Sequence, residues 1–205
     1  MKTLIRIVLG LLAAHGAMAL AAAGWLAASG VSARPEPSAF EARTARAARH
    51  LLIPRASRAA ANPLPTSPAV LARARAHFAD HCASCHGNDG RGDTELGRNL
   101  YPRAPDMSLP ATQGLSDGEL YWIIENGVRL TGMPAWGNAA AEGGEESWEL
   151  VHFIRRLPAL TAEEIAEMER HNPVSRAEME EEEEIRRFLA GEDGDEAEAP
   201  EPHRH

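Results

Sequence analysis

The sequence has little cysteine and almost no lysine. Its two cysteines stand at 82 and 85. That excludes a disulfide-stapled scaffold, and two thiols alone cannot complete a structural zinc site. Lys2 is the only lysine, so arginine carries nearly all the positive charge. Positive charge is itself in deficit, 21 basic residues against 30 acidic ones, for a net charge of −9. No surplus exists to neutralise phosphates, which excludes general nucleic-acid binding. Aromatic residues make up only 5% of the chain, so large apolar side chains for a core are scarce. No segment reads convincingly as a strand. The 205 residues allow one domain with appendages, or two very small domains.

The charge that is present is sorted along the chain. Residues 1–33 carry net +2, 34–76 net +6, 77–158 net −6 and 159–205 net −11. Regions with such different balances have different jobs. Four are expected: a targeting segment over 1–33, a Pro/Arg-rich tether over 34–67, a folded domain over 68–158, and an acidic helical and disordered tail over 159–205.

After Lys2 and Arg6, Ile7 to Val31 runs without a formal charge. A transmembrane helix needs about 20 apolar residues, and this run is long enough. A secretory signal has an apolar stretch of roughly 7–15 residues and a small-x-small cleavage site, which Val31-Ser32-Ala33 can supply. The favoured reading is an uncleaved anchor and the alternative a cleaved signal. Both export the remainder of the chain, because Lys2 and Arg6 hold the start in the cytoplasm. In the tether, prolines 35, 37, 54, 63 and 65 interrupt regular structure. Between them Phe40 to Leu52 can form one arginine-rich amphipathic helix able to rest on anionic head groups. A solvated linker is the favoured reading of this stretch.

Cys82-Ala83-Ser84-Cys85-His86 carries the chemistry. C-x-x-C-H is the attachment signature of c-type haem. Two cysteines three apart sit on one turn and can each form a thioether to a vinyl group. The next residue, His86, then lies under the iron. A thioredoxin-like dithiol would need a βαβ setting, and the segment before Cys82 reads as helical. A zinc site of Cys82, Cys85, His86 and His81 would crowd its ligands onto one turn.

The second axial ligand decides between an open, reactive iron and a closed electron carrier. Of six methionines, Met1 and Met18 lie in the targeting segment, and Met168 and Met179 on acidic helices expected to be exposed. Met107 and Met133 remain. Met133 lies between Gly132 and Pro134 in a loop well shaped to aim a thioether, and is the favoured ligand. Met107 is expected to pack as an apolar residue. His77, His81 and His152 are weaker candidates.

With these residues in view, Pro68 to Leu157 resembles a class I c-type cytochrome with one haem. Ala74 and Phe78, eight and four positions before Cys82, match a small and an aromatic residue of the family's N-terminal helix, although glycine is more usual at the first. Leu150 and Phe153 fit the aliphatic and aromatic residues of the helix that crosses it. Pro105 matches the proline whose carbonyl receives the ring N–H of the haem histidine. The Gly132-Met133-Pro134-Ala135-Trp136 loop resembles the distal-methionine loop of small bacterial members. The resemblance implies an all-α, cytochrome c-like helical domain wrapped around covalently attached haem c, with long loops and no significant sheet. It implies an electron carrier rather than an enzyme, served by an unidentified donor and acceptor. Its place would be the periplasmic face of the bacterial inner membrane if anchored, or the soluble periplasm if cleaved.

Local signals place four helices. Ser67 caps one running to about Asp80, with Pro68 in its first turn. Ser116 and Glu119 form a capping-box pattern for a second, ended by Gly127. Trp148 to Arg156 makes a third, and Thr161 with Glu164 opens a fourth. Trp136 is the preferred partner of the haem propionates, ahead of Arg98, Tyr101, Arg103, Trp122 and Arg129. Ser175 and Glu178 can start a further helix, and 191–200 reads as acidic low complexity. The tail solubilises, or steers a basic partner. A displaceable Met133 would leave a peroxidase-like enzyme open, and a structural haem would leave an interaction module.

Overall fold

The computed structural model describes residues 1–30, 32–137, 144–174 and 176–190. Among them every regular element is helical, as the sequence leads one to expect. Ser175 and the low-complexity end of the tail lie outside the described residues.

The core forms where two helices cross. Helix α4 (Pro68–His77) begins where the Ser67 hydroxyl accepts the Val70 N–H at 3.2 Å. Helix α9 (Glu145–Arg156) has Glu145 and Glu146 in its first turn and Arg155 and Arg156 in its last, the arrangement that complements a helix dipole. Its apolar positions recur at three and four, so Leu150, Val151, Phe153 and Ile154 share one buried face. That face meets Ala74 and Phe78. Ala74 is small enough to let the backbones approach. Phe78 and Phe153 meet at the crossing with ring centroids 4.9 Å apart and planes tilted by 51°.

Helix α8 (Asp117–Asn126) completes the frame. The Ser116 hydroxyl accepts the Glu119 N–H at 3.1 Å, and the Glu119 carboxylate accepts the Ser116 N–H at 2.8 Å. Leu120 and Ile124 enter the core, and Tyr121 stacks on Trp148 at 4.1 Å. Short helices α6 (Glu95–Arg98) and α7 (Pro110–Gln113) punctuate the long loop after residue 87. Arg155 fastens that loop to α9, donating to the Gln113 and Leu115 carbonyls and to the Asp117 carboxylate. One guanidinium thereby satisfies acceptors that no strand is there to satisfy.

Two expectations need correction. Met168, expected on an exposed helix, is fully buried in the main core. Helix α10 (Ala162–Met168) is capped by Thr161 and Glu164 as anticipated. It then folds back, so that its last residue adds apolar volume to a core short of large side chains. Met168 is set aside as an iron ligand because it is packed, and not because it is exposed.

The tether also differs from a solvated linker. Helix α3 (Arg55–Arg58) packs against α8, and helix α2 (Ala39–Leu52) meets the domain through side-chain contacts. Ile53 between them is 1% exposed. His50 Nδ1 lies 2.7 Å from the buried Glu119 carboxylate, and Arg58 donates to His50 Nε2 at 2.8 Å. Because Arg58 can only donate, Nε2 accepts and Nδ1 carries the proton given to Glu119. The Tyr101 hydroxyl donates to Glu41 at 2.6 Å, and Arg103 pairs with Glu36 at 2.9 Å. Farther along, Asn62 donates to the Trp148 carbonyl, and His152 bridges the Leu64 carbonyl and Thr66. A buried carboxylate needs donors; Glu119 takes one from the Ser116 N–H and one from His50 of the tether.

Helix α1 (Lys2–Ser29) is long and apolar enough to cross a membrane, with a mean hydropathy of 1.9 and none of its span buried in the protein. Helix α11 (Arg176–Ala190) carries the acidic run.

Candidate haem site

The C-x-x-C-H motif lies on a continuation of α4. The helix widens into a π-helical turn over Phe78–Cys82 and closes with α5 (Ala83–His86). A π-turn inserts one residue per turn and is frequent at functional sites. Phe78 at its start stays in the core and Cys82 at its end packs against that core, while the turn that follows meets the next loop. Cys82, Cys85 and His86 are all half-buried. Gly87, at φ 71°, ends the helix.

The following loop is tied onto this turn. The Gly92 N–H donates to the His86 carbonyl at 2.7 Å, and the Thr94 hydroxyl to those of Ser84 and Cys85 at 2.9 and 3.1 Å. The Met107 N–H donates to the Gly90 carbonyl at 2.8 Å. These bonds bring Pro105 beside His86. Burial lowers the proton affinity of the His86 ring, and the Pro105 carbonyl opposes that shift. His86 Nδ1 is nevertheless buried without a hydrogen bond of normal geometry. Burial favours the neutral imidazole, the form with a free lone pair.

Of the two thiols, Cys82 is not activated for dithiol catalysis. Both are free, and burial, with Cys85 nearby, pushes the Cys82 thiol up to about 12. A reactive dithiol needs the opposite shift, because only the thiolate attacks. The zinc reading also lacks support. Among the described residues no three His, Cys, Asp or Glu side chains gather to hold a metal ion.

Met133 lies on a loop strapped to the end of α8. The Val128 N–H donates to the Met133 carbonyl at 3.1 Å, and the Met133 N–H to the Thr131 hydroxyl at 3.1 Å. Trp136 and Gly137 donate their N–H groups to the Ile124 and Glu125 carbonyls, both at 3.0 Å. The last carbonyls of α8 thus find partners in the loop. Gly127, at φ 64°, makes the turn, and a Cβ there would meet the Met133 oxygen at 2.7 Å. Met133 is half-buried, whereas Met107 is 7% exposed and part of the apolar core.

The remaining candidates are spread out. Trp136 is 39% exposed and meets the His81 ring edge-on at 5.6 Å. His81 in turn lies 4.8 Å from His77, so these three rings join the π-turn to the Met133 loop. Arg98 pairs with Asp93 at 2.7 Å, and Tyr101 and Arg103 are engaged by the tether. Glu119 and Glu149 are buried carboxylates. Glu149 is paired with Arg73. The capping-box pattern was the one available signal for Glu119; nothing local marked Glu149.

The chain's donor set fits haem: two free thiols three apart, a neutral imidazole beside a carbonyl, and a half-buried thioether outside the core. No curated protein matches the chain. Residues 69–154 match the family model described as cytochrome C oxidase, cbb3-type, subunit III. This stretch, spanning the α4–α9 frame and both loops, is a class I c-type cytochrome domain, the all-α kind that carries covalently bound haem for electron transfer.

Proposed function

We propose that the protein is an exported, membrane-anchored mono-haem c-type cytochrome that carries single electrons between a donor and an acceptor protein and is not itself an enzyme. Cys82 and Cys85 would hold the porphyrin by thioethers, and His86 and Met133 would hold the iron. When bound, haem supplies a one-electron ferric/ferrous couple. The chain does the rest. The Pro105 carbonyl orients the His86 ring and strengthens its donation. The loop bonds at Thr131, Ile124 and Glu125 hold the thioether in place. The apolar helices beside the site keep water away, which with a methionine ligand raises the potential.

One observation carries this reading. Two free thiols three apart adjoin His86 on one turn, and Cys85, His86 and Met133 are half-buried outside the apolar core. Lys2 and Arg6 in the first turns of the apolar helix support an orientation with the cytochrome domain on the periplasmic side.

The test is spectroscopic. Denatured, solvent-extracted protein should keep its colour, and the oxidised form should show the weak red band of methionine bound to ferric iron. Met133→Ala should abolish that band and keep the colour, while Met107→Ala should keep both. A band that survives Met133→Ala would refute the ligand assignment. Intact mass and carbonate extraction of membranes decide between anchor and cleaved signal.

A further inference from the structure

We propose that helix α2 is a membrane-contact surface that lays the cytochrome domain on an anionic bilayer. The inference rests on the reading of α1 as an anchor and goes beyond it, because an anchor alone fixes neither the height nor the orientation of the domain.

The two sides of α2 are chemically distinct. Its inner side is engaged by the domain: Glu41 takes the Tyr101 hydroxyl, His50 contacts Glu119, and Ala42 and Arg49 are half-buried. The opposite side bears Phe40, Thr44, Ala47 and Leu51, spaced four, three and four residues apart, which is one stripe of an α-helix. All four are exposed, Phe40 by 80% and Leu51 by 76%. The one hydroxyl in the stripe is turned back, since Thr44 Oγ1 donates to the Phe40 carbonyl at 2.9 Å. Arg43 borders the stripe and Arg55 follows it. Both are exposed and neither has a carboxylate partner among the described residues. An apolar stripe edged by unpaired arginines matches the boundary between acyl chains and anionic head groups.

Chain continuity supplies the bilayer. Only residues 30–38 separate the end of α1 from the start of α2. Fully extended, they span about 30 Å, so α2 cannot leave the vicinity of the membrane surface. The contacts of α2 with Glu119 and Tyr101 then pass its orientation to the cytochrome domain. An isolated amphipathic helix would not do this.

The test uses the full-length holoprotein in nanodiscs. The haem cysteines are bonded, so Ala47→Cys creates the only free thiol for an environment-sensitive dye. Glu182→Cys on α11 gives a control site. Discs of pure phosphatidylcholine are compared with discs containing phosphatidylglycerol, each with acyl-chain quenchers. The dye at 47 should be quenched in the anionic discs and much less in the neutral ones, and the dye at 182 in neither. Arg43→Gln and Arg55→Gln together should lower the docked-to-free ratio by about fivefold per arginine, as should high salt. The visible spectrum verifies folding, and a label at Leu51→Cys repeats the measurement should the first variant misfold. An unquenched dye on protein that stays in the discs overturns the proposal and leaves the anchor reading intact. Protein released from the discs refutes the anchor reading instead. If quenching is absent but the arginine substitutions still slow electron delivery, the surface binds a protein partner and the proposal fails.

Discussion

His50 Nδ1 approaches the Glu119 carboxylate to 2.7 Å, and this pair joins a helix from outside the cytochrome domain to a carboxylate only 5% exposed within it. The same carboxylate caps α8. Docking of the tether and the start of a core helix therefore depend on one acidic group.

Burial disfavours ionisation of Glu119, but the Ser116 amide and His50 outweigh it and hold the carboxyl below the ordinary 4.5. A group depressed in the folded state contributes stability above its unfolded value and loses it as pH falls through the folded one. Glu119→Gln should thus cost about 1–3 kcal/mol at neutral pH and flatten the loss of stability below pH 4.5. Denaturant titrations at several pH values measure this. An acid limb unchanged in the variant would place the coupling elsewhere.

Phe153 and Met168 are 1% and 0% exposed. Truncating Phe153 to alanine should cost about 3–5 kcal/mol, and Met168 about 2–5 kcal/mol. The second result is the sharper one, since Met168 lies beyond the stretch matched by the family model. A Met168→Ala protein with an unchanged denaturation midpoint would mean that α10 docks loosely.

Gly127→Ala puts a side chain at φ 64°, against the Met133 carbonyl. Left-handed backbone costs a non-glycine residue roughly 1–2 kcal/mol, and the contact adds to it. The methionine-to-iron band should weaken while the covalent colour stays. Equal band intensity in variant and parent would show that the loop tolerates the shift, so that α8 does not position Met133.

A Cβ on Gly118 would run into the Ser57 carbonyl of the tether. Overpacking of this sort costs about 1–3 kcal/mol, which opens the tether about five- to 150-fold more often. Tryptic cleavage after Arg58, half-buried in the docked state, should accelerate accordingly, with the visible spectrum unchanged. Loss of the spectrum together with faster cleavage would show that tether and domain unfold as one unit.

Local chemistry was legible from the sequence alone wherever a residue acts on its near neighbours. The Ser67, Ser116 and Thr161 caps and the Gly127 stop depend on positions a few residues apart, and each is present. The C-x-x-C-H spacing is of the same kind, being a property of one turn. Tertiary structure alone decided what lies across gaps of many residues. It buried Met168 at the end of an acidic helix, paired Arg73 with Glu149, and turned a Pro/Arg-rich linker into a docked arm through His50 and Glu119. The reason is physical. Helix caps and turns close locally, whereas a buried carboxylate or an unfilled core volume takes whichever distant partner the fold brings to it, and nothing in the neighbouring sequence marks that partner beforehand.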